Sequence, residues 1–236
     1  MKLPFWATTL TVLGIMFLCG LGYWQLQRLE WKTELLAALD AAKQKSAAPT
    51  LFYEQINNLA KTADDTALIR YVFLEGRWLH DKEIAVGPRT WKGKPGYHIL
   101  TPMALKGGGT ALVNRGWVPI DKKLAAQRPE SLPGPKKGMA MGLLRRPGKP
   151  SYFTPANNPQ KDEWYFIDLQ QMAEARDLKK LAPLVLYARL DRNKADLPVK
   201  EALEWRPNNN HRAYAIFWFT LAAALAVIYC LRFLKR

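Results

Sequence analysis

From Ala213 to Leu231 the chain carries no charged residue, and nearly every side chain in the run is apolar. At a helical rise of 1.5 Å per residue such a run covers about 28 Å, close to the roughly 30 Å of a bilayer's hydrocarbon core. It reads as a transmembrane helix with two unlike ends. The leading end holds Asn209, Asn210, His211, Arg212, Tyr214 and Trp218, which are hydrogen-bonding, cationic and interfacial aromatic groups. The trailing end holds Arg232, Lys235 and Arg236.

A second apolar run opens the chain, from Leu3 to Trp24 behind Lys2. A cleaved signal peptide calls for a shorter apolar core and small residues before the cut. Here the apolar stretch runs on into Trp24, Gln25 and Arg28, and bulky Met16, Phe17 and Leu18 precede Cys19. An uncleaved anchor is the better reading. Residues 1–27 are therefore assigned to a first transmembrane helix, 28–207 to a domain outside the membrane, and 208–236 to a second transmembrane helix with a basic end.

Charge sets the expected orientation. Lys2, Arg232, Lys235 and Arg236 flank the spans, and short basic flanks stay in the cytoplasm, whereas long loops cross largely regardless of charge. Both termini are then cytoplasmic. The middle domain is external, which at a bacterial inner (plasma) membrane means periplasmic. The formal net charge of +15 raises the question of nucleic acid. Basic residues are interleaved with acids and aliphatics, however, and no basic run or nucleic-acid motif appears, so membrane lipids with anionic head groups are the expected partner and nucleic acid is not. Of the two cysteines, Cys19 falls near one end of the first span and Cys230 near the opposite end of the second, too far apart for a disulfide. The external domain has none, which removes the thiolates that a copper or thiol-redox carrier needs.

Residues 25–45 continue the first span as an amphipathic helix, through Leu29, the Lys32 stem, Leu35, Leu36 and Leu39, and the pattern stops at Ala47, Ala48 and Pro49. Short β-branched or aromatic runs follow at Leu68–Trp78, Glu83–Gly87, Tyr97–Ala104, Thr110–Val118, Met139–Leu144, Trp164–Asp168 and Leu184–Leu190, each bounded by Gly, Pro or Asp. Leu105-Lys106-Gly107-Gly108-Gly109 is the clearest hairpin connection, and Leu169–Asp177 reads as a helix. The expected fold is thus a membrane protein with two transmembrane helices flanking an α+β, mainly antiparallel β, barrel-like external domain. Asn114-Arg115-Gly116-Trp117 reads as a strand closing into a turn, with positive φ at Gly116 and Pro119 stopping the ladder. The alternative has Arg115 and Trp117 facing the membrane or a partner.

Three segments carry a family resemblance: Gly22-Tyr23-Trp24-Gln25-Leu26-Gln27-Arg28 with Lys32 at the exit of the first span, Val113-Asn114-Arg115-Gly116-Trp117-Val118-Pro119 in the middle, and Asn209-Asn210-His211 with Tyr214-Ala215 and Trp218-Phe219 at the entry of the second. Gly76, Arg89, Gly96-Tyr97 and Trp164–Asp168 agree more weakly. Together they resemble the surfeit-locus family of cytochrome oxidase assembly factors over the whole chain, apart from a third asparagine ahead of His211 where the family pattern has two. The resemblance implies a non-enzymatic factor that binds haem A transiently and helps its insertion into the catalytic subunit of cytochrome c oxidase, with haem A synthase as a further partner.

The residues themselves leave two readings of the membrane edge. His211 suits axial ligation of haem iron, with Tyr214, Ala215, Trp218 and Ala222 at helical spacing beside it. Trp24, Gln25, Gly20 and Gly22 on the antiparallel first span share its depth, and Arg28, Arg206 and Arg212 suit propionates. Equally, an interfacial histidine, tryptophan or arginine is an ordinary anchor, and Ala222 with Ala226 is a helix-packing pair. A membrane scaffold holding oxidase subunits or anionic lipid without a cofactor is the alternative function. His80 and His98 lack a ligand pattern around them. No nucleophile elbow, phosphate loop or triad spacing supports catalysis.

Overall fold

The computed structural model describes residues 4–44, 48–62, 68, 70–131, 138–191, 197–203 and 208–233. The chain divides into two compact units, one formed by Met1–Ala38 and Arg206–Arg236, the other by Leu39–Trp205.

The first unit contains most of α1 (Phe5–Gln44) and all of the last helix, α4 (His211–Phe233). Both are long and apolar enough to cross a membrane. The 40 residues of α1 exceed what the hydrocarbon core needs, because no Pro or Gly cluster interrupts the helical pattern between the apolar half and the amphipathic half. The two helices run antiparallel. Gln25 meets His211, Gly22 lies under the ring of Phe219, Gly14 faces Leu225, and Thr8 bonds Tyr229 at 2.5 Å, so positions rising along one helix meet positions falling along the other. Ala215 and Ala222, buried at 2% and 5% exposure, lie on the α4 face that carries His211, Leu225 and Tyr229 and fronts α1. Small residues let the two backbones approach. Cys19 and Cys230 are both free thiols.

The second unit is built on six strands: β1 (Tyr71–Trp78), β2 (Ile84–Trp91), β3 (Lys94–Leu105), β4 (Thr110–Pro119), β5 (Gly138–Arg145) and β6 (Leu181–Asp191). Their order is β1-β5-β6-β4-β3-β2, and β1 also pairs with β3, so five strands close on themselves and β2 extends the sheet at β3. All pairings are antiparallel except β4 with β6, which is parallel. The sheet is therefore mixed, mainly antiparallel and barrel-like. Leu105–Gly109 forms the β3–β4 hairpin, its three glycines all at positive φ.

Two faces of the sheet are buried. Val72, Leu74, Met103, Ala111, Val113, Ala140, Leu184 and Leu186 gather on one side with Ile56 of α2 (Tyr53–Ala60). Leu100, Leu112 and Val185 point to the other, against Met172 of α3 (Leu169–Ala175) and Trp164. Alternation along β4 and β6 thus buries both faces, which is why these strands read as nearly unbroken apolar runs.

The expected strand at Trp164–Asp168 is not one. Trp164 makes a single bridge to Val86, and the Asn157 side chain takes the Tyr165 N–H at 2.8 Å, so local side-chain bonds replace a ladder. The expected turn at Gly116 is also different: Asn114 pairs with Leu100 and Gly116 with Ile99, leaving Arg115 as the extra residue of a bulge, and β4 continues to Pro119. Gly116 does have positive φ, at 133°, and an added Cβ would stand 2.6 Å from the Val199 carbonyl oxygen. Arg115 and Trp117 do not face outward, being 0% and 5% exposed.

Candidate functional site

His211 is the first residue of α4, half-buried between the helices. Its Nδ1 lies 2.6 Å from Gln25 Oε1. A carboxamide oxygen has no proton to give, so Nδ1–H is the donor, and in the neutral ring the lone pair then lies on Nε2. An oxygen that accepts from one imidazole nitrogen orients the ring and raises the basicity of the other nitrogen.

Other bonds tie the same edge together. Lys32 Nζ donates to the Asn208 carbonyl at 2.7 Å, and Asn209 Nδ2 to Thr33 Oγ1 at 3.3 Å. The Asn210 carbonyl accepts the Ala213 and Tyr214 N–H groups, opening α4. Among the described residues the buried Asn209 Oδ1 has no hydrogen-bond partner, so one acceptor stands open beside the histidine segment. The lysine and Thr33 contacts lay outside sequence reasoning; the one available signal was the one-turn spacing from Arg28 to Lys32 and Thr33 on a helix already expected to pass this depth.

The remaining expected residues are spread around this edge. Trp24 and Tyr214 are 49% and 54% exposed, Trp218 is half-buried, and Arg212 is exposed. The Arg28 guanidinium stacks over Trp31, 4.9 Å from the ring centroid. Of the two glycines expected to leave room, Gly20 has open space where a side chain would stand, while the space over Gly22 is taken by the Phe219 ring at 2.7 Å. Arg206 lies outside the described residues. The residue types at this edge, an imidazole, flanking aromatics and guanidinium groups, are those that could hold a metal-centred ring carrying carboxylates, with room beside Gly20 and none over Gly22.

In the sheet unit the histidines are engaged otherwise. His80 stacks on Trp78 with centroids 6.1 Å apart. Asn114 Nδ2 donates to His98 Nδ1 at 3.4 Å, and burial followed by the charge of Arg89 holds that imidazole down at about 4. Sequence reasoning missed a buried ionic cluster. Arg128 pairs with Glu83, and donates to Ser131 Oγ at 3.0 Å and to the Lys122 carbonyl at 3.1 Å; Thr101 Oγ1 donates to Glu83 at 3.1 Å, and Arg115 reaches the Ser131 carbonyl.

Fold and site together define a membrane-associated protein in which two candidate spans, locked by a histidine–glutamine bond, flank a closed mixed sheet. The SURF1 family model matches residues 12–223, and the chain belongs to that family. It is similar to a SURF1-like protein of Monosiga brevicollis, 31% identical over 92% of this chain and 83% of that one. A SURF1-like protein of Dictyostelium discoideum is 26% identical over 92% of both chains. Surfeit locus protein 1 of Mus musculus is 28% identical over 92% of this chain and 72% of its own length.

Proposed function

We propose that this chain is an assembly factor for a haem–copper cytochrome c oxidase, taking haem A as cargo at His211 and passing it to the catalytic subunit. The observation that supports this most is the 2.6 Å bond from His211 to Gln25, which in the neutral ring puts the lone pair on Nε2 where the apolar stretches of the two helices end. His211 would hold the iron through that nitrogen, with Trp24, Tyr214 and Trp218 as aromatic walls and Arg28 and Arg212 as cations for the propionates. In this reading both termini lie in the cytoplasm of a bacterium and the sheet unit in the periplasm, where haem A synthase delivers the cargo.

The test is the absorption spectrum of the protein purified after co-expression with the enzymes of haem A synthesis. Wild type is expected to carry pigment, and His211→Ala to lose most of it with a shifted spectrum, while still accumulating in the membrane. An unaltered spectrum in His211→Ala overturns ligation by this residue and leaves it as a helix-pair lock in a scaffold that holds oxidase subunits or anionic lipid without a cofactor.

A further inference from the structure

The segment after β5 presents two aromatic rings to solvent, and nothing in the site described above uses them. Tyr152 and Phe153 are 95% and 89% exposed, and their rings meet edge to face with centroids 5.3 Å apart. Exposed aromatics are costly in water, and here they are not the by-product of a loose loop. The Ser151 N–H and the Ser151 hydroxyl both bond Thr154 Oγ1, at 3.0 and 2.9 Å, and the Thr154 N–H returns to the Ser151 carbonyl at 3.0 Å, closing a turn with the two rings at its tip.

Both ends of the segment are fastened to the sheet unit. On the near side Arg146 donates to the Ala60 and Thr62 carbonyls and Arg145 lies over the Tyr187 ring at 4.8 Å. On the far side Asn157 takes the Tyr165 and Phe166 N–H groups and donates to the Phe166 carbonyl. Pro147, Pro150 and Pro155 stiffen what lies between. The rings are thus held out by a built support.

Charge identifies the surface they suit. From Arg145 to Lys161 the chain has Arg145, Arg146, Lys149 and Lys161 and no acidic residue. An amphipathic tyrosine beside a phenylalanine, on a segment whose charged residues are all cationic, matches the head-group region of an anionic bilayer, where aromatics sit at the interface and each nearby cation is attracted to the lipid charge. The covalent chain also joins this unit to two helices long and apolar enough to cross a membrane. We infer that the Tyr152-Phe153 turn is a third membrane contact, inserting its rings among the head groups of anionic lipid.

The test uses the full chain reconstituted in vesicles, with Cys19→Ser and Cys230→Ser removing the native thiols and Phe153→Cys carrying an environment-sensitive fluorophore. Tyr152→Cys is labelled in parallel, so that loss of either ring alone does not decide the result. In vesicles containing phosphatidylglycerol, emission is expected to move to the blue and to be quenched several-fold by spin labels carried on the lipid, with a smaller effect in purely zwitterionic vesicles. Water-like emission at both positions, unaffected by lipid-borne quencher, overturns the inference. So does a blue shift that the lipid quencher does not touch, which assigns the turn to a protein partner or a second copy of the chain.

Discussion

Gln25 Oε1 accepts the Nδ1–H of His211 across the helix pair, joining residues 186 positions apart at 2.6 Å. The bond depends on antiparallel helices of matched depth, because one turn of slippage would carry the amide about 5.4 Å away. It also makes the imidazole's free nitrogen a consequence of the first helix.

Gln25→Leu is therefore expected to weaken haem retention while leaving His211 in place. Loss of the group that bonds a ligating imidazole's other nitrogen typically costs a factor of about 10 to 100 in metal affinity, less than removal of the ligand itself. Gln25→Glu, whose carboxylate pulls harder on Nδ1–H, should retain pigment and shift its reduction potential downward. Identical haem occupancy and potential in all three proteins would detach the bond from ligation.

The expected orientation follows from the basic flanks Lys2 and Arg232. Protease added outside sealed spheroplasts should cut between residues 39 and 205 and leave epitopes at both termini intact. A fully protected sheet unit, with termini cut instead, would reverse the topology.

Gly116 sits where φ is 133° and where the chain passes the Val199 carbonyl, Trp117 and Val199 exchanging N–H···O bonds of 3.0 and 2.7 Å. Gly116→Val meets both an unfavourable backbone region and a 2.6 Å contact, so a loss of about 1 to 3 kcal/mol is expected in urea unfolding of the detergent-solubilised protein. An unchanged midpoint would mean that residues 197–203 yield without cost.

The Glu83–Arg128 pair is almost wholly buried, at 8% and 1% side-chain exposure. Glu83→Ala leaves the buried Arg128 guanidinium with only the Ser131 hydroxyl and the Lys122 carbonyl and no counter-charge, and is expected to cost about 3 to 5 kcal/mol. Glu83→Leu combined with Arg128→Met removes both charges and should recover most of that loss. Equal destabilisation of single and double variants would show that packing, not charge, carries the effect.

These cases also mark what is legible in the sequence. Strand positions were readable because Gly, Pro and Asp bound each apolar run, and Gln25 opposite His211 followed from two spans of similar length. The buried Arg115 was not. A cation within a strand reads as solvent-facing, and only the bulge at Asn114–Gly116 turns it inward beneath Ser131. The parallel β4–β6 pairing leaves no local trace, since residues between Asn114 and Tyr187 belong to other elements. Helix α2 escaped notice because eight residues with a single buried side chain, Ile56, give too short a period to stand out. Trp164–Asp168 has strand-like residues but, among the described residues, pairs with no neighbour beyond Val86.

The acid sensitivity of the sheet unit should run through His98. Burial comes first and the Arg89 charge second in holding its folded value at about 4, and the Asn114 amide adds a donor that a protonated ring could not accept from. In the unfolded chain the imidazole takes a proton near pH 6.5. Between those limits the unfolded state binds the extra proton, so the stabilisation is complete above about pH 6.5 and is lost as pH falls toward 4. The slope approaches about 1.4 kcal/mol per pH unit between roughly pH 6 and 4.5, discounted where the ring retains some solvent. Urea midpoints of wild type and His98→Gln should accordingly converge on acidification across this window, the variant being flatter. Parallel curves for the two proteins would assign the acid response to carboxylates elsewhere and remove His98 from it.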